Sequence, residues 1–223
     1  MKKRSLIILL FLNLVILLSA VPATPGFTGI IDYPSAYNLR QNNYTVTGLL
    51  DNIEGDSQFG VILEGGFIPQ VEAGLKLSTS DTLLNKNLLR ANFKFQFVQE
   101  ADNPAMAIGF VETDEVYAYL VGSKTFDRVF KQNLSLGISL GLKYDEEKET
   151  NQFLGLEIPI FEKIKLLGEV YTYREKIENE SNKKISYNLS GEFYTTKLIR
   201  TKVFWREKED SFGLSINYIG IYK

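Results

Sequence analysis

The sequence alternates between apolar and polar residues over several long stretches. Between Leu134 and Tyr144 every even-numbered residue is apolar, whereas the odd-numbered residues are serine, glycine or lysine. A β-strand places successive side chains on opposite faces, whereas a helix would distribute them around its circumference. The chain is therefore predicted to be all-β, and similar alternation recurs in residues 71–78, 89–97, 186–193 and 211–218.

Weaker alternation elsewhere raises the predicted number of strands to about 12, within a range of about 10 to 14. The pattern leaves two architectures open. In a soluble barrel or sandwich the apolar face points into a core. In an outer-membrane barrel the apolar face meets lipid and the polar face lines the interior.

Strand length and the connections between strands favour the membrane barrel. The clearest runs have the roughly 9 to 11 residues of a tilted transmembrane strand. Longer, charged links, such as Asp51–Ser57 and Arg174–Lys184, alternate with compact turns, such as Ile68–Gln70 and Thr195–Lys197. Outer-membrane barrels show this rhythm. We therefore predict a transmembrane antiparallel up-and-down β-barrel over residues 44–223.

The last predicted strand carries Ser211, Gly213, Ile216 and Tyr218 in the order polar, glycine, apolar, apolar. This spacing resembles the C-terminal signal by which outer-membrane barrels are recognised for assembly. The resemblance implies the barrel-assembly machinery as a partner, alongside outer-membrane lipid.

The N-terminus has the organisation of a secretory signal peptide. Lys2, Lys3 and Arg4 precede an apolar run and then small residues, with cleavage expected after Ala20 or Ala23. An uncleaved membrane anchor is the alternative, although the apolar run is short for a span of about 20 residues. We assign residues 1–23 to the signal peptide and 24–43 to a periplasmic, plug-like segment. The predicted location is the bacterial outer membrane.

Composition narrows the function. The chain has no Cys and no His, which excludes disulfides, thiolate or imidazole metal sites and the usual nucleophile–histidine hydrolases. No enzyme activity and no cofactor are predicted. The net charge of −2 gives no reason to expect nucleic acid.

Charged side chains on the polar face are candidates for a lumen lining. Mixed signs at neighbouring positions predict ion-paired ladders filling a narrow lumen, and a selectivity lining for a solute or a polysaccharide is the functional alternative. The candidates are Glu64, Glu72, Lys76, Arg90, Lys94, Lys143, Glu192, Arg200 and Lys202. Aromatic residues near strand ends, among them Tyr171 and Phe204, are predicted to form belts at the lipid–water boundaries.

Residues 26–37, Gly-Phe-Thr-Gly-Ile-Ile-Asp-Tyr-Pro-Ser-Ala-Tyr, are followed after a spacer by Tyr44-Thr45-Val46-Thr47-Gly48. This opening resembles that of the YjbH-like outer-membrane proteins associated with exopolysaccharide production, in a compact version. The resemblance implies a barrel that supports surface polysaccharide export, with polysaccharide as a partner. Two alternatives stay open: a porin-like channel for small solutes, and a soluble periplasmic β-barrel that binds a lipid-like ligand.

Overall fold

A computed structural model describes residue 29 and residues 31–53, 56–80, 88–112, 116–129, 134–145, 150–177 and 180–221. The predicted signal peptide lies outside these residues. Twelve strands form one closed antiparallel barrel in which each strand pairs with its neighbours in sequence. They are β1 (Asn43–Ile53), β2 (Asp56–Ile68), β3 (Val71–Ser80), β4 (Leu88–Val98), β5 (Ala105–Glu112), β6 (Val116–Val129), β7 (Leu134–Asp145), β8 (Thr150–Phe161), β9 (Ile164–Ile177), β10 (Glu180–Tyr194), β11 (Ile199–Arg206) and β12 (Ser211–Ile221).

The predicted fold class is confirmed. The barrel closes where β1 pairs with β12, with Val46 opposite Tyr218 and Leu50 opposite Leu214. Closure gives every strand two partners, which removes the unpaired edges that an open sheet would expose. No helix among the described residues is long and apolar enough to cross a membrane.

The outer face of the barrel carries the large apolar side chains. Leu140, Leu89 and Phe212 are 62%, 63% and 63% exposed on this face. The soluble lipid-binding alternative required these faces to point inward, so the structure rules it out. An apolar exterior on a closed barrel is instead what a lipid bilayer requires.

Two predicted links are wrong in extent. The sequence predicts long charged links at residues 174–184 and 51–57. Strand pairing extends into both of them: β9 ends at Ile177 and β10 begins at Glu180, while β1 ends at Ile53 and β2 begins at Asp56. Arg174 pairs with Lys183 in this extension. Backbone pairing depends on N–H and C=O groups, so a hairpin can continue after its side chains stop alternating.

Candidate functional site: the barrel lumen

The inner face of the barrel is largely polar, and the structure places the nine candidate lining residues on it. Glu64, Glu72, Lys94, Glu192 and Lys202 are buried there, and the other four are intermediate in exposure. Glu72 and Lys94 are cross-strand neighbours and form an ion pair of 3.0 Å. The opposite charges of this pair therefore neutralise each other within the wall.

A stretch before β1 runs inside the barrel. We call its described residues, 29 and 31–42, the lumen segment. Ile31 and Ala36 are 1% and 0% exposed, and a single bridge between Gly29 and Pro34 is its only pairing of strand type among the described residues. We call the end of the barrel where β1 begins and β12 ends the terminal end; the lumen segment leaves the lumen there.

The Glu169 side chain on β9 holds the deep part of the lumen segment. Its Oε1 accepts hydrogen bonds from the backbone N–H groups of Ile31 at 2.6 Å and Tyr33 at 2.9 Å, and the Asp32 N–H contacts both carboxylate oxygens at 3.0 and 3.1 Å. Hydrogen bonds to an ionised group are stronger than neutral ones. One carboxylate thereby accepts from three successive backbone donors of the segment.

The Asp32 side chain is bound by Arg206 of β11, on the same stretch of wall as Glu169. Arg206 Nε donates to Asp32 Oδ2 at 2.7 Å and Nη2 donates to Oδ1 at 3.0 Å, which is the two-pronged geometry of an arginine–carboxylate pair. Asn188 Nδ2 donates to Asp32 Oδ2 at 3.0 Å, and Arg206 Nη1 donates to Asp51 Oδ2 at 2.5 Å. All three wall residues are buried.

The middle of the lumen segment contacts three further strands, β3, β4 and β6. The Ala36 N–H donates to Ser123 Oγ at 2.8 Å. Lys94 Nζ donates to the Tyr37 carbonyl at 2.7 Å, and the Leu39 N–H donates to Glu72 Oε2 at 2.8 Å. The buried Glu72–Lys94 pair therefore also binds the backbone of the segment, one partner to a carbonyl and the other to an N–H.

Near the terminal end, Tyr37 anchors the segment to the turn between β4 and β5. Its hydroxyl donates to Glu100 Oε2 at 2.6 Å and lies 2.9 Å from Thr125 Oγ1. Burial alone would raise the pKa of the Glu100 carboxyl. The hydrogen bonds from Tyr37 and from the Thr125 N–H, together with the Lys124 ammonium, instead hold this pKa below its usual value.

The inner wall also has an apolar strip, which the sequence analysis missed. Tyr33 of the lumen segment stacks on Phe153 at 4.7 Å between ring centroids and lies 4.9 Å from Tyr171. The buried residues of this cluster are Ala36, Ala105, Ala107, Val111, Tyr117, Tyr119, Val121, Phe153 and Tyr171. The sequence signal for this strip lies in β5, whose inner and outer faces are both largely apolar. An apolar inner face is expected where that face meets protein rather than water.

The prediction that Tyr171 and Phe204 belong to the lipid–water belts is therefore wrong. Tyr171 is buried under Tyr33, and Phe204 is buried beside Ile31, Leu49 and Leu167. An inserted segment supplies apolar surface inside the barrel, so aromatic residues on the inner face have a partner that a water-filled lumen would lack. Ile31 therefore packs against apolar wall residues of β1, β9 and β11 at this level of the lumen.

A second charged patch lies on the wall from β8 to β11. Lys165 Nζ contacts Glu157 Oε2 at 2.8 Å and Glu192 Oε1 at 4.0 Å, and Arg200 Nη1 lies 3.6 Å from the same Glu192 oxygen. The Arg200 guanidinium also stacks over Tyr194 at 4.7 Å. Within the described residues, no group of three or more His, Cys, Asp or Glu could hold a metal ion.

No protein-family model and no curated protein matches this chain. Solved structures match its fold at low identity. The KdgM porin is 9% identical with a TM-score of 0.57, covering 78% of this chain and 98% of that chain. The NanC porin is 10% identical with a TM-score of 0.53, covering 81% and 100%. An outer-membrane channel from Pseudomonas putida F1 is 6% identical with a TM-score of 0.50, covering 86% and 100%.

A closed 12-stranded barrel with an apolar exterior and a polar interior defines this chain as a bacterial outer-membrane β-barrel. The predicted outer-membrane location is confirmed by this fold and its exterior. Within that class, the chain is similar in fold to porins and channels. None of these comparisons points to the YjbH-like proteins, so that resemblance stays a hypothesis.

The predicted assembly signal also stays a prediction. The structure places Ser211 and Gly213 on the inner face of β12, and Ile216 and Tyr218 on its outer face. The strand that carries them pairs with β1 and closes the barrel.

Proposed function

We propose that the protein is a non-enzymatic channel of the outer membrane that the lumen segment keeps closed. One observation carries the proposal: the obstruction is a separate stretch of chain rather than a filling of wall side chains. Its polar anchors on the wall are Ser123, Glu72, Lys94, Glu169 and Arg206. Such a stretch can leave the lumen while the strand pairing of the barrel stays intact.

Barrel size supports this function. Barrels of about 8 strands are filled by their own side chains, whereas those of about 16 to 18 strands enclose an aqueous channel. A 12-stranded barrel lies between these sizes and here encloses a chain segment. Withdrawal of the segment would leave space for a small solute.

The resemblance in fold to two porins and a channel supports a channel over an accessory of polysaccharide export. The lack of His and Cys supports a protein without catalysis. We therefore prefer the porin-like interpretation of the sequence to the polysaccharide interpretation.

A disulfide that locks the lumen segment to the wall tests the proposal with the whole chain. Ala36→Cys and Ser123→Cys place two thiols at a contact where the Ala36 nitrogen and the Ser123 hydroxyl are 2.8 Å apart, in a protein without other cysteines. In planar bilayers we expect the oxidised double variant to be silent. The reduced double variant and the wild type should show intermittent openings.

The Ala36→Cys single variant controls for the substitution, since an oxidant should not change its conductance. A wild-type protein that inserts as a folded barrel but never conducts would overturn the channel function. Equal conductance of the oxidised and reduced double variant would leave a channel but reject the lumen segment as its gate.

A further inference from the structure

The Asp32 carboxylate occupies a site that the barrel wall builds around it. Arg206 offers two N–H groups to it and Asn188 a third, and these side chains are 5% and 0% exposed. Paired parallel hydrogen bonds from a guanidinium specify a planar carboxylate. The wall residues come from β10 and β11, so they stay in place if the lumen segment withdraws.

The Arg206 guanidinium would need another anion if Asp32 left. Asp51 accepts from Arg206 Nη1 and belongs to β1, so this carboxylate remains when Asp32 leaves. Withdrawal of Asp32 would take away the carboxylate that binds Arg206 Nε and Nη2, while Asp51 stays on Nη1. A buried charge without a partner is costly.

Glu169 sets a second requirement on any ligand that takes the place of Asp32. Its carboxylate accepts three backbone N–H groups of the lumen segment and also the Asn188 amide, at 3.0 Å from Glu169 Oε2. A simple anion beside Arg206 would lie near this negative charge and offer it no donor. A suitable ligand therefore combines a carboxylate for Arg206 with neighbouring hydrogen-bond donors for Glu169.

We propose that Arg206, Asn188 and Glu169 form a binding site for a hydroxy acid solute, and that Asp32 with its neighbouring N–H groups is the internal occupant of that site. This inference rests on the proposed channel function, since the solute reaches the site when the lumen segment withdraws. The solute and the segment compete, so binding of the solute holds the lumen open.

Removing the internal carboxylate tests the site without any measurement of conductance. The thermal unfolding of Asp32→Ala is followed in gluconate, acetate, chloride and the neutral polyol glucitol, with the salts at equal ionic strength. Gluconate should stabilise this variant most. Its half-saturating concentration should be about tenfold lower than for the wild type, where an internal competitor acts at an effective concentration in the millimolar range.

Two further variants keep the test decisive. Asp32→Asn preserves the volume of the side chain and replaces Asp32→Ala if the latter does not fold. Arg206→Lys, combined with either, keeps the positive charge but removes the two-pronged geometry, so it should abolish the preference for gluconate.

Equal stabilisation by gluconate, chloride and glucitol would overturn the site, and an equal response to acetate and gluconate would overturn its assignment to hydroxy acids. Both outcomes are independent of conductance. A protein that binds gluconate but never conducts would instead contradict the channel function alone.

Discussion

The Glu169 carboxylate accepts the N–H of Ile31 at 2.6 Å, although 138 residues separate them. The contact joins the lumen segment to β9, four strands around the barrel from β1, where the segment enters the wall. It is therefore a tertiary contact that fixes how deep the segment lies.

Glu169→Gln should loosen the deep part of the lumen segment. The amide retains an oxygen acceptor but loses the negative charge, and hydrogen bonds to charged groups contribute about 1.5 to 3 kcal/mol each. We expect unfolding in denaturant to show a loss of stability in this range. Hydrogen exchange of a peptide covering residues 31–37 should become faster.

Glu162→Gln makes the same chemical change on the exposed turn between β8 and β9 and is the matched control. It should leave both measurements unchanged. Comparable effects of the two substitutions would show that Glu169 does not hold the segment.

Acidification should release the lumen segment near the terminal end. The pKa of Glu100 is lowered from its ordinary value of 4.5 in the folded protein, because Tyr37, the Thr125 N–H and Lys124 stabilise its charged form. A lowered pKa contributes stability that is present above the unfolded value and is lost as the pH falls through the folded value. Hydrogen exchange of residues 36–42, corrected for intrinsic rates, should therefore rise below pH 4.5.

Glu100→Gln removes this titration and should make exchange in the same peptide independent of acid. Glu209, in the turn between β11 and β12, provides an internal comparison, because burial and the charge of Asp32 raise the pKa of its carboxyl. A transition above pH 4.5 that persists in Glu100→Gln would assign the acid response to Glu209 instead.

Gly66→Ala should displace the lumen segment where it leaves the lumen. A Cβ atom at Gly66 would lie 2.5 Å from the Arg40 carbonyl oxygen and 2.9 Å from that of Leu39, and backbone atoms cannot rotate away. The Asn42 N–H also donates to the Gly66 carbonyl at 2.8 Å. Forcing atoms into such a contact costs about 1 to 3 kcal/mol, measurable as a lower thermal midpoint.

Gly48→Ala is the matched control, since a Cβ atom there would have no neighbour within 4 Å. It should be close to neutral. Under the proposed channel function, Gly66→Ala should also open more often than Gly48→Ala in planar bilayers. The reverse order in thermal midpoint would contradict the close approach of segment and strand.

Leu140→Arg tests which face of the barrel meets lipid. Leu140 is on the outer face near the middle of β7, and an arginine near the midplane of a bilayer costs about 2 to 4 kcal/mol. The measurement is the free energy of unfolding from liposomes. Glu162→Arg, in an exposed turn, should cost far less, and equal costs would mean that Leu140 does not face lipid.

The alternation of residues such as those from Leu134 to Tyr144 was enough to predict the strands and their outward apolar face. A period of two is a local property, and pairing between strands that follow one another in sequence needs little beyond it, whereas closure also requires β1 to pair with β12. The same alternation predicts charged residues on the inner face, and their role as a lumen lining stays a prediction. The ends of strands such as β9 and β10 could not be predicted, because backbone pairing continues through polar residues.

The sequence by itself determined a series of alternating strands with one apolar face, because each residue's face follows from its neighbours along the chain. Only the tertiary structure decided what fills the barrel. Arg206 meets Asp32 across 174 residues, and Tyr33 covers Tyr171 on the inner wall. No periodic pattern in the sequence predicts either contact, since each depends on how a segment outside the twelve strands crosses the lumen. The polar and apolar partners of that segment become a site only when closure brings their strands around it.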